Sequence, residues 1–389
     1  MSTVLITALL HAHSEPTRFV VDGSSNAASG SFRTLEAARD AIRAGKGRGT
    51  PKQVFLRAGV HALTRPFELD ARDAGSPGAP ITYATHPDDL SRGSIARVSG
   101  GVRVPPSAFQ PVSVPSGASG VLTADLIPLG LNVTSLGAMG CPYPKSKLEL
   151  FYQGAPMTLA RDPNVGTDPL STWHWVGYEN ASRVDDLTLS FADVATAKRW
   201  SAAMSTAVQQ EEEDSPSLWL HGYYKFDWRD TYLRVASIQR NATSGNYTLL
   251  RDPKTSPQYP WKSGCRFYAV DNLALLDAPG EYYVSPKGRL YFYPPPSSSA
   301  TASSSASQLA DDVYVSVLST VLSADGANHT SWTNLTLEVA RGDVASLSGS
   351  QLSVAGSTVR NGGGACLEIR GTNSKAHVGT QTLAAQTLG

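Results

Sequence analysis

Cysteine is scarce in this sequence, charge is balanced, and no hydrophobic run is long. The three cysteines are Cys141, Cys265 and Cys366. An odd number excludes a fully paired disulfide framework. Cys141 and Cys265 can pair if they share a domain, and Cys366 reads as a small buried hydrophobe. Lys and Arg number 33, Asp and Glu number 33, and the formal net charge is zero. That removes the electrostatic case for nucleic acid or an anionic membrane surface as a partner. No apolar stretch approaches the ~20 residues of a membrane span, so no membrane insertion is expected. There is no Gly-rich phosphate loop, no zinc motif and no nucleophile elbow, so neither a cofactor nor a metal is expected.

What is present is a chain of 389 residues, 41% hydrophobic, long enough for two domains or one elongated one. From about Thr333 to Thr372, two segments superimpose when shifted by about 22 residues: Leu337 on Val359, Gly342 on Gly364, Leu347 on Ile369, Gly349 on Gly371. Residues 376–383 begin a further copy at a slightly longer offset. Short strands between Gly and Asn turns at a fixed period predict a β-solenoid in which each repeat is one coil. Parallel strands of adjacent coils lie ~4.8 Å apart, so residues one repeat apart stand above one another. On this reading Leu335, Leu337 and Val339 face inward, and Thr336 and Glu338 outward. Glu338 lies over Arg360, Thr336 over Thr358, Glu368 over Ser346, Arg370 over Ser348, and Asp343 over Ala365. The Glu338–Arg360 pair is expected to face solvent and contribute ~0–1 kcal/mol.

Taken from its start, the chain has an apolar run over residues 4–10 before Ala12-His13-Ser14. This fits a secretory leader over residues 1–18, although no Lys or Arg precedes the run. His11 and His13 fall in that leader and are not read as metal ligands. Residues 19–120 read as the first coils. A helix over 34–43 has Thr34 as N-cap, Leu35, Ala38 and Ile42 on one face, and Gly45 and Gly47 beyond its end. It suits the cap that an open solenoid end requires. Strands are predicted at 54–57, 67–69, 81–84 and 96–99. From about Val121 the pattern changes. A strand over 147–152 turns at Gln153-Gly154 and returns over 157–160. A helix spans 192–208, with Ser190 and Asp193 as a capping box. A half-buried strand covers 218–226, further strands 235–238 and 247–250, and a hairpin pairs 281–284 with 289–293. Residues 121–296 therefore read as an inserted β-sandwich-like domain, and 297–310 as a Ser/Ala-rich linker. Residues 311–389 read as resumed coils that stop in mid-coil.

Column by column, the coils offer no catalytic pair. Glycoside hydrolysis needs two carboxyls ~5 Å apart for retention or ~6.5–9.5 Å apart for inversion. From Asn328 onward the only acids are Glu338, Asp343 and Glu368, and no two share a column. Arg341-Gly342-Asp343 spells an adhesion tripeptide but falls in a turn that needs its Gly. Asp88-Asp89, Asp185-Asp186 and Asp311-Asp312 are more simply solvated turn carboxylates than Ca²⁺ ligands. Trp173-His174-Trp175 is suited to stacking on sugar rings, or else to burial in the sandwich core. The acidic run 211–214 reads as a solvated face. Asn-x-Ser/Thr sequons at Asn132, Asn180, Asn241, Asn246, Asn328 and Asn334 are candidate N-glycosylation sites and favour a secreted or extracellular location.

Longer stretches carry a resemblance. Phe32-Arg-Thr-Leu-Glu-Ala-Ala-Arg-Asp-Ala-Ile-Arg43 follows Asp22-Gly23-Ser24. Next come Val54-Phe-Leu-Arg-Ala-Gly-Val-His61, Gly78-Ala-Pro-Ile-Thr-Tyr83 and Val98-Ser-Gly-Gly101. The middle holds Met157-Thr-Leu-Ala-Arg-Asp-Pro-Asn164, Trp219-Leu-His-Gly-Tyr-Tyr-Lys-Phe-Asp-Trp228, and Asp277-Ala-Pro-Gly-Glu-Tyr-Tyr283 before Leu290-Tyr-Phe-Tyr-Pro294. Asn334-Leu-Thr-Leu-Glu-Val-Ala-Arg-Gly-Asp343 closes the series. Together they resemble right-handed parallel β-helix proteins of the pectin-lyase-like superfamily, in the branch of α-L-fucosidases and xylan-degrading glycoside hydrolases. The resemblance implies an all-β fold: a right-handed parallel β-helix with an N-terminal capping helix and an inserted sandwich-like domain. It also implies catalytic aspartates in coils downstream of the stretch present here, so no catalytic residue is carried over and the chain reads as truncated. The expected role is a secreted carbohydrate-active protein that is monomeric and has polysaccharide or oligosaccharide as its partner. The alternative is a non-catalytic extracellular structural or glycan-binding β-helix. A pectate-type lyase would need an acidic Ca²⁺ cluster beside Arg or Lys, which the coils do not offer.

Overall fold

A computed structural model describes residues 15–131, 133, 148–165, 181–185, 188–191, 193–205, 218–243, 245–257, 259–296, 309 and 312–377. The chain is mostly β, built from several sheets. It divides into two compact units. One comprises residues up to Gly101 together with those from Leu318 onward, and the other is Val102–Val317. These divisions fall at 101/102 and 317/318, where the sequence pattern suggested 120/121 and 310/311.

The first unit contains three sheets, all paired in parallel. The first sheet stacks Thr17–Val21, Lys52–Leu56, Ile81–Thr85, Thr330–Thr333, Ser353–Ala355 and Lys375–His377. The second stacks Gly59–Ala62, Ala96–Ser99, Leu335–Ala340 and Thr358–Gly362, and the third Phe67–Leu69, Leu322–Asp325, Ala345–Ser348 and Leu367–Arg370. The chain visits them in rotation, so each circuit adds one strand to each sheet. The predicted columns hold: Leu337 pairs with Val359, Glu338 with Arg360, Ser346 with Glu368, and Ser348 with Arg370. The next circuit begins with the same 22-residue step, because Val354 pairs with Ala376; residues 378–383, where the rest of the longer-offset copy was expected, lie outside the described residues. Strand Gly59–Ala62 was not foreseen, since Gly59 and two exposed positions hide its alternation.

Corners repeat with the strands. His329, Gln351 and Asn373, each 22 positions on, all have positive φ, as do Asn334 and Gly356, and Val339 and Asn361. Gly, Asn and polar residues tolerate this left-handed conformation, whereas the β-branched Val339 at φ 63° is strained. The inward column of the first sheet reads Phe19, Val54, Tyr83, Trp332, Val354, Ala376. Tyr83 and Trp332 stack at 6.4 Å with planes 10° apart, and the edge of Phe67 meets Tyr83 at 5.6 Å. Each such fully buried ring contributes on the order of 1.5–3 kcal/mol. Helix Leu35–Arg43 closes over this core. Thr34 Oγ1 accepts the Ala37 N–H at 3.2 Å, Leu35, Ala38 and Ile42 are buried, and Gly45 follows at φ 93°. Strand Thr17–Val21 begins inside the 1–18 span read as leader; residues 1–14 of that span lie outside the described residues.

The interruption falls at one corner of one circuit. The chain leaves after Ala96–Ser99 in the second sheet and returns at Leu318, ahead of Leu322–Asp325 in the third. Leu318 N–H donates to Gly100 O at 3.0 Å, so the two ends meet. Register continues across the gap: Ile81 pairs with Thr330, Ala96 with Leu335, and Phe67 with Leu322.

Among the described residues the second unit has three sheets. A four-stranded sheet contains Leu150–Tyr152 and Val313–Ser316. A five-stranded sheet contains Leu122–Asp125, Glu281–Val284 and Arg289–Phe292. A seven-stranded sheet centres on Trp219–Tyr223, Thr231–Arg240 and Arg266–Val270. The five-stranded sheet is buried on both faces. Tyr282, Val284, Leu290 and Phe292 enter one core cluster, while Tyr283 and Tyr291 enter another with Leu220, Leu233, Phe267 and Trp200 of helix Val194–Ser205. That helix is capped by Asp193, which accepts the Thr196 N–H at 3.0 Å; Ser190 lies in strand Thr188–Phe191. The turn at Gln153-Gly154 forms, but the return is only Ala155–Pro156, and Thr158–Leu159 pairs with the five-stranded sheet instead. The hairpin closes with Met157 N–H donating to Leu150 O at 2.8 Å. Most of the linker 297–310 lies outside the described residues.

Candidate functional site

Glu338 is the first residue whose environment departs from expectation. Its side chain is 1% exposed, not solvent-facing. It accepts from Arg97 Nε at 2.6 Å on the preceding coil and from Arg360 Nε at 2.8 Å on the following one. All six residues of Leu335–Ala340 are buried, so the strand has no wet face. Two guanidiniums neutralise and cover one carboxylate; this is scaffold chemistry, with no second acid in the column. Elsewhere in the coils Glu368 faces Ser346, Asp325 faces Ser348 and Glu68 faces Ser323. Asp343 accepts the Ala365 N–H at 2.7 Å, and Gly342 N–H donates to Ser319 O. The Arg341-Gly342-Asp343 turn is thus one layer of a stacked corner.

A cleft of about 470 Å³ lies in the first unit beside the start of the helix. Asp22, Ser24, Arg33, Glu36, Arg57 and His61 are among its walls. The hydrogen bond to Ser24 holds the Asp22 carboxyl below its ordinary range. Burial pushes the His61 imidazole down, and its Nε2 lies 2.8 Å from Arg57 O. Asp89 is buried between Arg57, Arg92 and the Ala58 N–H, while Asp88 is exposed. Among the described residues no three His, Cys, Asp or Glu come together as metal ligands would.

A polar cluster of the second unit is built on strand Trp219–Tyr223, within the stretch that carried the resemblance. Leu220 faces the core with helix residue Trp200, so His221 faces the other side. There it pairs with Tyr232 on one neighbouring strand and Tyr268 on the other. The His221 and Tyr232 rings stack at 4.2 Å. Tyr268 Oη lies 2.5 Å from His221 Nδ1, and Asp230 Oδ2 lies 2.8 Å from Nε2. An ionised carboxylate only accepts, so Nε2 carries the proton, and Nδ1 accepts from the tyrosine. Burial pushes His221 below its ordinary value and keeps it neutral. Burial works against the Asp230 carboxylate, but the His221 hydrogen bond, a backbone N–H and the nearby Arg229 charge together outweigh it and leave Asp230 below its usual range. Beneath them the Arg161 guanidinium sits 3.4 Å from the Tyr268 ring centroid. Glu281, which accepts from the Asp277, Ala278 and Arg161 N–H groups, is pushed up to about 8 by burial. His221 is 3% exposed and both its nitrogens are engaged. The cluster braces the loop that ends at Asp230; it does not present a base to solvent.

That loop carries aromatic surface. Phe226 and Trp228 stack at 5.2 Å with planes 12° apart, and Tyr259 meets both edge-on at 5.0 and 5.8 Å. Aromatic residues in an alternating strand pattern read as core, so the exposure of this motif is not legible from its residues alone.

Four of the six sequons are described. Asn241 is exposed in the hairpin between Thr231–Arg240 and Tyr247–Arg251, with Asn246 half-buried opposite it. Asn328 and Asn334 sit in coil corners; Asn328 Oδ1 accepts the Ser350 N–H at 2.7 Å. Asn132, Asn180, the Trp173-His174-Trp175 triplet, Asp186, Asp311 and the 211–214 run lie outside the described residues. So does Cys141. Cys265 is a buried thiol, not half of a disulfide, and burial pushes it up to about 12. Cys366 joins the coil core.

No protein-family model matches the sequence, and no curated protein matches it. Among solved structures, the chain is similar to one described as a glycoside hydrolase, with a TM-score of 0.56 at 13% identity. The match covers 88% of this chain and 61% of that one, so this chain spans about three fifths of its neighbour's length, and the likeness is one of fold.

Proposed function

We propose that this is a secreted carbohydrate-active protein of the right-handed parallel β-helix type, glycoside-hydrolase-like, which acts on or binds cell-wall or extracellular polysaccharide. The observation that carries the reading is the likeness in fold to a glycoside hydrolase over 88% of this chain. The rotation of the chain through three parallel sheets supports the β-helix part, and parallel crossovers are right-handed in nearly all sheets. The exposed sequon at Asn241 supports secretion. No residue is assigned a catalytic role.

A second reading, a glycan-binding or structural protein without turnover, is favoured by the columns. The carboxylates at 68, 325 and 368 face serines, and Glu338 faces two arginines. Incubation with xylan and with fucosylated oligosaccharides, followed by chromatography of released sugars and by calorimetric binding, separates the two. Release of sugar supports the hydrolase. Binding without release selects the second reading. Neither binding nor release refutes both.

A further inference from the structure

We propose that Phe226, Trp228 and Tyr259 form a sugar-stacking site that takes a neutral pyranose unit of a polysaccharide chain. The inference rests on the carbohydrate reading above and says where on the second unit a glycan docks.

Only six large hydrophobic side chains are exposed among the described residues, and only two of them are aromatic. Those two, Phe226 at 37% and Trp228 at 68%, are neighbours on one turn, with ring planes nearly parallel and in stacking contact. None of the three rings belongs to a core cluster, so folding does not account for them. Isolated exposed apolar groups need no explanation, but adjoining exposed rings do. Trp228 is 68% exposed, so much of its ring stays open beside Phe226, and an open π face suits the C–H face of a pyranose, whose weakly positive hydrogens meet the negative ring face.

The rim fits hydroxyls. Asp227 lies between the two rings in sequence and offers acceptors, and Arg266 offers donors 3.4 Å from it. Lys225 Nζ is 6.0 Å from the Phe226 ring centroid. Acceptors and donors side by side match the vicinal hydroxyls of a neutral sugar. A site for uronate or sulfate would be expected to show cations alone.

The platform is also ordered before any ligand arrives. Arg229 N–H closes the turn onto Phe226 O at 3.1 Å, and Lys262 N–H ties the Tyr259 loop to Tyr224 O at 2.9 Å. At the loop's end His221 holds Asp230 at 2.8 Å. Side chains already fixed lose little entropy on binding. Three rings fall well short of the ~20–30 residues a side of a stable protein interface, which argues against a protein occupant.

The test titrates the full-length chain and its Trp228→Ala, Phe226→Ala and Trp228→Phe variants with arabinoxylan, xyloglucan and fucosylated oligosaccharides. Calorimetry and tryptophan fluorescence give the affinities. Val184→Ala, another exposed apolar site, is the control. We expect at least tenfold weaker binding for Trp228→Ala and Phe226→Ala, near wild-type binding for Trp228→Phe and Val184→Ala, and no change in melting temperature. If the wild type binds a glycan and the alanine variants bind it equally well, this site is wrong while the carbohydrate reading stands. If the wild type neither binds nor cleaves any probe, both fall. If Trp228→Ala instead disperses a dimer and leaves glycan affinity unchanged, the patch is a self-interface and the inference is overturned.

Discussion

Replacing Glu338 with alanine separates a buried charge cluster from a surface ion pair. In the wild type one carboxylate, 1% exposed, receives Arg97 at 2.6 Å and Arg360 at 2.8 Å. The two guanidinium side chains are 23% and 29% exposed, so water reaches them poorly. Glu338→Ala leaves two cations with no counter-charge between them on adjacent coils. Breaking a buried pair from one side costs about 3–5 kcal/mol, whereas an exposed pair contributes ~0–1 kcal/mol. For a domain of 150–250 residues each kcal/mol moves Tm by about 2–4 °C, so the expected loss is about 6–20 °C. Glu368→Ala removes an exposed carboxylate whose partner Arg370 is 72% exposed, and serves as control with a shift under ~4 °C. Scanning calorimetry gives the shifts. Hydrogen exchange read by mass spectrometry should place the loosening in Ala96–Ser99, Leu335–Ala340 and Thr358–Gly362. Replacing all three charged residues with Met or Leu should restore most of the stability, because apolar substitutes avoid the desolvation cost. A Glu338→Ala protein that melts like Glu368→Ala would refute the buried cluster.

The remaining predictions address the second unit, the coil corners and the sequons. The unfolded chain binds the His221 proton near pH ~6.5 and the folded protein only at lower pH, so the unfolded state holds more protons as pH falls below 6.5. The His221 contribution is therefore complete above that value and declines below it. Glu281 acts in the opposite sense: pushed up to about 8, it makes the fold less stable as pH rises from ~4.3 towards 8. Urea unfolding of wild type and His221→Gln from pH 7.5 to 5 isolates the first effect as a difference; parallel pH profiles would contradict it. Gly356→Ala puts a Cβ into Asn334 Oδ1 at φ 59°, and should cost ~2 kcal/mol or more. Gly30→Ala, at φ 87° with nothing within 4 Å, should cost only ~1 kcal/mol, and equal losses would argue against stacked corners. In a eukaryotic secretory host, peptide mass spectrometry should find glycan on Asn241 and none on Asn334; the reverse would mean that the corner opens.

Much of the coil was legible because its order is periodic in sequence. A 22-residue shift is enough to align Leu337 with Val359 and Ser346 with Glu368, since strand pairing there is between consecutive circuits. Helix Leu35–Arg43 was legible from its cap and one apolar face. Burial was not. The register shows which residue stands above Glu338, but Arg97, its other partner, is 241 positions earlier and outside the repeat. The aromatic platform was hidden for a related reason: Phe226 and Trp228 continue the alternation of Trp219–Tyr223, but the chain turns at Phe226–Arg229 and releases them from the sheet.

The same geometry explains how a coil accepts a second unit. A strand in this stack is held by the circuits on either side of it, not by its neighbours in sequence. Ile81 finds Thr330, and Thr82 Oγ1 meets Ser331 Oγ at 2.9 Å, although 249 positions separate each pair. Loop-closure entropy grows only logarithmically, by ~0.6 kcal/mol per doubling of length. The second unit has core clusters of its own, which order the intervening chain. The corner itself needs only that the ends meet, as Gly100 and Leu318 do, and that no side chain obstructs it. At Gly100 a Cβ would lie 2.8 Å from Val339 O and 3.1 Å from Leu318 Cβ. Gly100 is therefore the residue on which re-entry depends, since a side chain there would press on both the returning strand and the coil above it.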